Sequence, residues 1–183
     1  MSEGAGQPRR DALPPRLRRA TAEDALCIGV LGTQVFLDTY ATGGVRRALA
    51  REVLAAFATD ACRSFIEAKD SIVQVAEIDG HLVGFGHLVL GARHELAPSG
   101  AQSELVRLYV QERFTGRGTG SALLREAERA AALAGSTVLW LTPWAYNDRA
   151  LRFYARHGYV DCGQTWFRFE GESHENRLMA LRL

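Results

Sequence analysis

The stretch Thr115-Gly116-Arg117-Gly118-Thr119-Gly120-Ser121 constrains this chain more than any other. It stands between an apolar segment, Glu104 to Val110, and a run in which Leu123, Leu124, Ala127, Ala131 and Ala134 recur at helical spacing and Gly135 ends the pattern. Glycines at that junction turn the backbone tightly from strand to helix. They also let successive N–H groups face one anion, with the positive end of the helix dipole behind them. A phosphate or pyrophosphate is the natural ligand, and a tight turn with no ligand is the alternative. A dinucleotide-binding turn fits poorly, because Gly116, Gly118 and Gly120 alternate, position 121 is Ser, and a hairpin meander precedes the strand.

Composition narrows the choice. Lys69 is the only lysine among 22 basic residues, so no Walker-type phosphate loop is present and a classical ATPase or GTPase is excluded. The 183 residues suit one domain with a sizeable core. A net charge of +1 provides no broad field for a nucleic acid. The five histidines contain no HExxH pattern, His81, His87 and His94 share no helical face, and no GxSxG elbow occurs, so neither a metal nor a serine hydrolase is expected. Cys27, Cys62 and Cys162 form no CxxC pair, which favours a reducing compartment and a cytoplasmic location. No apolar stretch approaches a membrane span, and Met1 to Arg19, with three prolines and five arginines, lacks the apolar core of a signal peptide. Residues 1–15 are expected to be a flexible tail and residues 16–183 a single domain.

Along that domain the pattern predicts a short strand near Leu17 to Ala20, a helix capped at Thr21 or Asp24 running towards Tyr40, and helices over Val45 to Phe57 and Asp60 to Ala68. From Ser71 the period becomes two. Asp79-Gly80 is a hairpin signal between Ile72–Ile78 and Leu82–Leu90, and Gly91 to Gly100 reads as a loop. Glu104 to Val110 is a third strand, Thr137 to Leu141 a short buried one, and Tyr159 to Phe169 and Leu178 to Leu183 the last two. The fold class is α/β or α+β, with one strand-turn-helix-strand-helix unit in the second half; the family resemblance carried by the motifs below implies a mixed, mostly antiparallel sheet of about seven strands flanked by helices.

A second chemical signature runs from Asn147 to Tyr159. Asn147 suits an N-cap, Asp148 the helix dipole, Ala150, Leu151 and Tyr154 share one face, and Gly158 ends the helix. Tyr154 by itself reads more readily as a core residue with a satisfied hydroxyl than as a catalyst. Together with the glycine turn, Asn147, Ala150, Phe153, Tyr154, Gly158 and Tyr159 resemble the GCN5-related N-acetyltransferases, with the strongest match over Glu104 to Tyr159. In that family a Q/R-x-x-G-x-G/A loop holds the pyrophosphate of acetyl-CoA; here Thr115 stands where Gln or Arg is usual, while Gly118 and Gly120 are kept.

The resemblance implies acetyl-CoA as cosubstrate and no metal. It implies contacts from the loop Thr115, Gly116, Arg117, Gly118, Thr119, Gly120 and Ser121, from the strand Leu108, Tyr109 and Val110, and from Asn147, Ala150, Phe153 and Tyr154. It further implies that the strands Leu105–Val110 and Val138–Leu141 splay apart, so that the pantetheine lies in the gap as an extra strand would. A backbone N–H near Tyr109 or Val110 then faces the oxyanion.

Direct acetyl transfer in a ternary complex needs a neutral amine, a stabilised oxyanion and a proton for the departing thiolate. Tyr154 matches the family position that protonates the sulfur. Glu104 is the candidate base, through water, against the alternative of a solvated strand-end charge; Glu77 and Asp38 are reserves.

The acceptor is expected to be a small-molecule amine, without nucleic acid or membrane, and the family often forms homodimers. Phe36-Leu37-Asp38-Thr39-Tyr40, Arg107-Leu108-Tyr109-Val110 and Leu141-Thr142-Pro143-Trp144 are similar to segments of bacterial spermidine and spermine acetyltransferases. Asp38, Tyr40, Glu77, Glu104, Trp140 and Trp144 have the carboxylates and aromatic faces a polyamine needs. An amino acid, an antibiotic or a peptide N-terminus are alternatives, as is an acetyl-CoA sensor without efficient turnover. Phe36, Leu37 and Tyr40 read equally as helix-to-core contacts.

Overall fold

The computed structural model describes residues 14–169 and 172–183, so most of the predicted tail lies outside the described residues. The chain enters through β1 (Arg16–Arg19) and a 3₁₀ turn in which the Asp24 carboxylate accepts the Thr21 N–H at 2.8 Å. Three helices follow: α1 (Ala25–Tyr40), α2 (Arg47–Ala56) and α3 (Thr59–Glu67). The hairpin of β2 (Ser71–Ile78) and β3 (His81–Leu90) turns at Asp79 and Gly80, both at positive φ, 52° and 76°, where Gly is unstrained and Asp is tolerated. Then come β4 (Gln102–Val110), α4 (Thr119–Leu133), β5 (Val138–Leu141), α5 (Asp148–Arg156), β6 (Val160–Phe169) and β7 (Glu172–Arg182).

These strands form one seven-stranded sheet in the order β1-β2-β3-β4-β5-β7-β6. Every neighbouring pair is antiparallel except β4 and β5. The expected sheet is therefore present, and its helices divide between two faces. Ile28, Leu31, Val53 and Cys62 from the first three helices, with Phe57 just after α2, cover Val73, Val75 and Phe85 on one face. On the other, Leu124, Ala127 and Ala131 of α4 and Tyr154 of α5 pack with Leu88, Leu105, Leu139 and Leu141.

One strand differs from expectation. β7 begins at Glu172, six residues before Leu178, because its outer half, Ser173 to Arg177, pairs with β6 and has no apolar alternation of its own. Pairing and not pattern makes it a strand. Among the described residues, no helix is long and apolar enough to cross a membrane.

Candidate active site

The parallel pairing of β4 with β5 covers only Gln102, Ser103 and Glu104 against Val138, Leu139 and Trp140. Beyond Glu104 the two strands part. The segment after β5 is held to β7: Asn176 donates to the Thr142 carbonyl, the Arg177 N–H to the Pro143 carbonyl, and the Ala145 N–H to the Glu175 carbonyl, each at 2.9 Å. β4 stays with β3, where the Gln111 N–H reaches the Val83 carbonyl at 3.0 Å. Backbone groups alternate along an antiparallel strand, so the Leu108 and Val110 peptides face the gap and the Tyr109 peptide faces β3. Of the two predicted oxyanion donors, Val110 has the right orientation and Tyr109 does not.

The glycine turn stands at the outer end of this fork. Gly116 and Gly118 have φ of 70° and 86°, and a Cβ at either would meet no protein atom within 4 Å. The cradle is open on its outer side. Gly118 precedes α4, whose first helical bond runs from the Ala122 N–H to the Gly118 carbonyl, so the N–H groups before Ala122 have no intrahelical acceptor. The buried Thr119 Oγ1 has no hydrogen-bond partner among the described residues. Arg117 is exposed beside it. This donor set suits a phosphate.

Two loop side chains are directed elsewhere. Thr115 Oγ1 donates to the Glu112 carbonyl at 2.8 Å and closes the turn, and Ser121 Oγ lies 3.0 Å from His157 Nε2. Their contribution to the cradle is through the backbone.

α5 carries the second set. Asn147 Oδ1 accepts the Ala150 N–H at 3.0 Å, as an N-cap should. The Phe153 ring covers Gly120, at 3.6 Å from where a Cβ would stand. Tyr154 is 9% exposed and packs edge-on against Phe153 and Tyr159. Its hydroxyl has no hydrogen-bond partner among the described residues, and burial together with the nearby Tyr40 phenol pushes its pKa up. Tyr109, Tyr40 and Tyr154 thus form a group of phenols that stay protonated near neutral pH.

Glu104 occupies the last paired position before the fork, opposite Trp140 on one side and Val89 on the other. Burial raises its carboxyl above the usual range, and the Arg107 charge opposes that rise. It is half-buried and, among the described residues, in no ion pair.

Asp38 and Trp144 line a cavity of about 300 Å³ with Val110, Asn147, Glu112 and Arg149. Tyr40 lies between Phe36 and Trp144 with tilted rings, centroids 4.6 and 5.5 Å away, so it packs on the core and backs Trp144 without itself lining the cavity. Glu77 does not join them. Its carboxylate is held by Arg18 at 2.6 Å, at the β1–β2 edge of the sheet, which corrects its assignment as an acceptor contact or reserve base. Trp140 is also used structurally: it is buried and donates its indole N–H to the Ala92 carbonyl at 3.1 Å. Sequence reading missed the Glu112–Arg149 ion pair across the cavity mouth, which joins residues 37 apart and has no local signal. Among the described residues no group of three His, Cys, Asp or Glu is arranged to hold a metal ion.

Comparison with known proteins agrees with this geometry. Residues 42–159 match the model of the acetyltransferase (GNAT) family. An uncharacterized N-acetyltransferase of Mycobacterium bovis is 33% identical over 110 residues, and the matched region covers 60% of this chain and 65% of the relative's length. A second, from Lactobacillus delbrueckii, is 27% identical over 130 residues, or 70% of this chain and 74% of that protein. Among solved structures, the PaiA N-acetyltransferase of Thermoplasma acidophilum in complex with coenzyme A superposes with a TM-score of 0.77 at 20% identity, covering 93% of this chain and all of that one. The YncA acetyltransferase of Salmonella typhimurium with acetyl-CoA gives 0.64 at 18% identity, over 92% and 93% of the two chains. With its forked sheet, glycine turn and matched segment, this chain belongs to the acetyltransferase (GNAT) family.

Proposed function

We propose that this protein is an N-acetyltransferase that moves the acetyl group of acetyl-CoA to a primary amine of a small molecule by direct attack in a ternary complex. The observation that carries the reading is the fork. It opens between β4 and β5, with an anion cradle at its outer end and, on the helix beside it, the buried side chain of Tyr154. Such a gap suits pantetheine amides bonding to the Leu108 and Val110 peptides, with the pyrophosphate at the start of α4.

Each residue has a stated part in the transfer. Glu104 takes the proton from the acceptor ammonium through water, leaving a nitrogen lone pair for attack on the thioester carbonyl. The Val110 N–H bonds the developing oxyanion. As the tetrahedral intermediate collapses and the C–S bond breaks, Tyr154 gives its proton to the sulfur, which leaves as a thiol, and the remaining extra proton of the attacking nitrogen passes through water to the Tyr154 phenolate, leaving a neutral amide.

For the acceptor, a polyamine is the leading reading: Asp38 supplies a carboxylate, and Tyr40 and Trp144 supply ring faces next to the same cavity. Free-thiol release from acetyl-CoA, measured with spermidine, amino acids, aminoglycosides and short peptides, tests both levels. Thiol with one amine class identifies the acceptor. Silence across the panel with no thermal stabilisation by coenzyme A overturns the reading.

A further inference from the structure

β4 has one residue more than its partner over the stretch facing the first three helices. Arg107 pairs with His87 and Leu105 with Leu88, so Val106 is an inserted residue, a β-bulge. His87 and Val89 are two apart on β3 and share a face. Their partners, Arg107 and Glu104, therefore share that face although they are three apart; in a regular strand they would point to opposite sides. The bulge lies two residues past the point where β4 and β5 part.

Arg107 is held firmly there. Its guanidinium carbon lies 5.5 Å from the centre of the Phe57 ring and 5.2 Å from that of Phe65, and Nη1 lies 3.0 Å from His87 Nδ1. Arginine only donates, so His87 Nδ1 must be the acceptor and the imidazole proton sits on Nε2. His87 is 5% exposed and stacks on Phe65 with centroids 4.6 Å apart. Burial and the Arg107 charge lower its pKa to about 4, so the ring remains the neutral acceptor this arrangement needs. No carboxylate lies within ion-pair distance of Arg107 among the described residues. The groups that interact with its charge are Cys62 on α3, His87 on β3, and Glu104 and Tyr109 on β4, while Asp70, just before β2, interacts with His87. A bulge, a buried histidine and a cation with no ion pair among the described residues, each of them costly, converge on one guanidinium, which two aromatic rings hold in place.

We propose that His87 and Arg107 are a positioning pair that fixes a cation on the same face as Glu104, at the fork, where it favours the anionic form of the half-buried Glu104 carboxylate. Burial disfavours the charged form of this carboxyl, and an opposite charge on the same face favours the ionised form that a base needs. His87 acts only through Arg107, and Arg107 only through Glu104. In its catalytic consequence the inference rests on the reading of Glu104 as base.

The test is the carboxyl ¹³C titration of Glu104, assigned by the signal lost in Glu104→Gln, run beside the pH profile of kcat/KM. Arg107→Gln is expected to raise the Glu104 midpoint by about one pH unit and to move the acid limb of kcat/KM by the same amount. Arg107→Lys should return both most of the way. His87→Phe, which removes the acceptor and keeps a stacking ring, should shift both in the direction of Arg107→Gln by a smaller amount. A Glu104 midpoint unchanged in folded Arg107→Gln overturns the inference; if that variant does not fold, an unchanged midpoint in His87→Phe does so. A midpoint that moves while the rate profile stays still upholds the pair and overturns the reading of Glu104 as base.

Discussion

Ser121 Oγ lies 3.0 Å from His157 Nε2, a bond between the first turn of α4 and the residue that ends α5. The imidazole Nδ1 lies 2.8 Å from the Phe153 carbonyl and must donate to it, so in the neutral ring Nε2 accepts the Ser121 hydroxyl proton. One side chain thus links the helix whose N-terminus forms the anion cradle to the helix that carries Tyr154. Ser121→Ala is expected to weaken coenzyme A binding and slow turnover together, each by roughly fivefold, as the loss of about 1 kcal/mol of positioning implies. Isothermal titration and steady-state rates check this; a loss in only one of the two would mean that the bond serves a single helix.

Tyr154→Phe keeps the ring that packs on Phe153 and Tyr159 and removes only the hydroxyl. Turnover should drop about 10²-fold or more, with acetyl-CoA affinity and melting temperature nearly unchanged, because the proton donor acts in the transition state. Equal losses in rate and affinity would make Tyr154 a packing residue.

Gly118→Val places a β-branched side chain at φ 86° in open space. Left-handed backbone costs such a residue about 1–2 kcal/mol, and the new side chain projects where the cradle must admit an anion. The dissociation constant for coenzyme A should rise about tenfold or more, with a smaller change in rate at saturation. Unaltered affinity by thermal shift or titration would remove the phosphate from this turn.

Asp38→Asn leaves the size of the cavity wall unchanged and removes its carboxylate. With a polyamine acceptor, KM should rise several-fold while kcat stays within about twofold, since uniform binding is lost and no transition-state contact is. A KM that does not move excludes Asp38 from acceptor recognition.

Arg18 bonds both Asp24 and Glu77, at 2.7 and 2.6 Å, and joins β1 and β2 to the start of α1. The Arg18 hydrogen bond holds the Asp24 carboxyl below its ordinary 3.8, so this stabilisation is present above that value and is lost as pH falls through the lower, folded-state pKa. Asp24→Asn should cost about 1 kcal/mol at neutral pH. The two proteins should converge in urea titrations below about pH 3.8. A gap that persists at low pH would assign the loss to the Thr21 cap instead.

The hairpin at Asp79-Gly80, the glycine turn, the cap at Asn147 and the helices over α4 and α5 were legible in the sequence because each depends on local chemistry: left-handed φ, orphan N–H groups and apolar periodicity within a few residues. From these, and from the likeness of two motifs, came the family and the sheet. Contacts between residues far apart in the chain decided the rest. Glu77 and Glu104 read alike as carboxylates on strands of one sheet, yet Arg18, 59 residues away from the first, neutralises it, while β5 covers the second at the fork. Val106 looks like any strand residue until the register with β3 reveals that it is extra, and only that register puts Arg107 on the same face as Glu104. Sequence determines what each short segment prefers; which carboxylate lies free, which peptide faces the gap and which charge stands beside it are fixed by pairing and packing, because these set burial, and burial sets the strength of every charge.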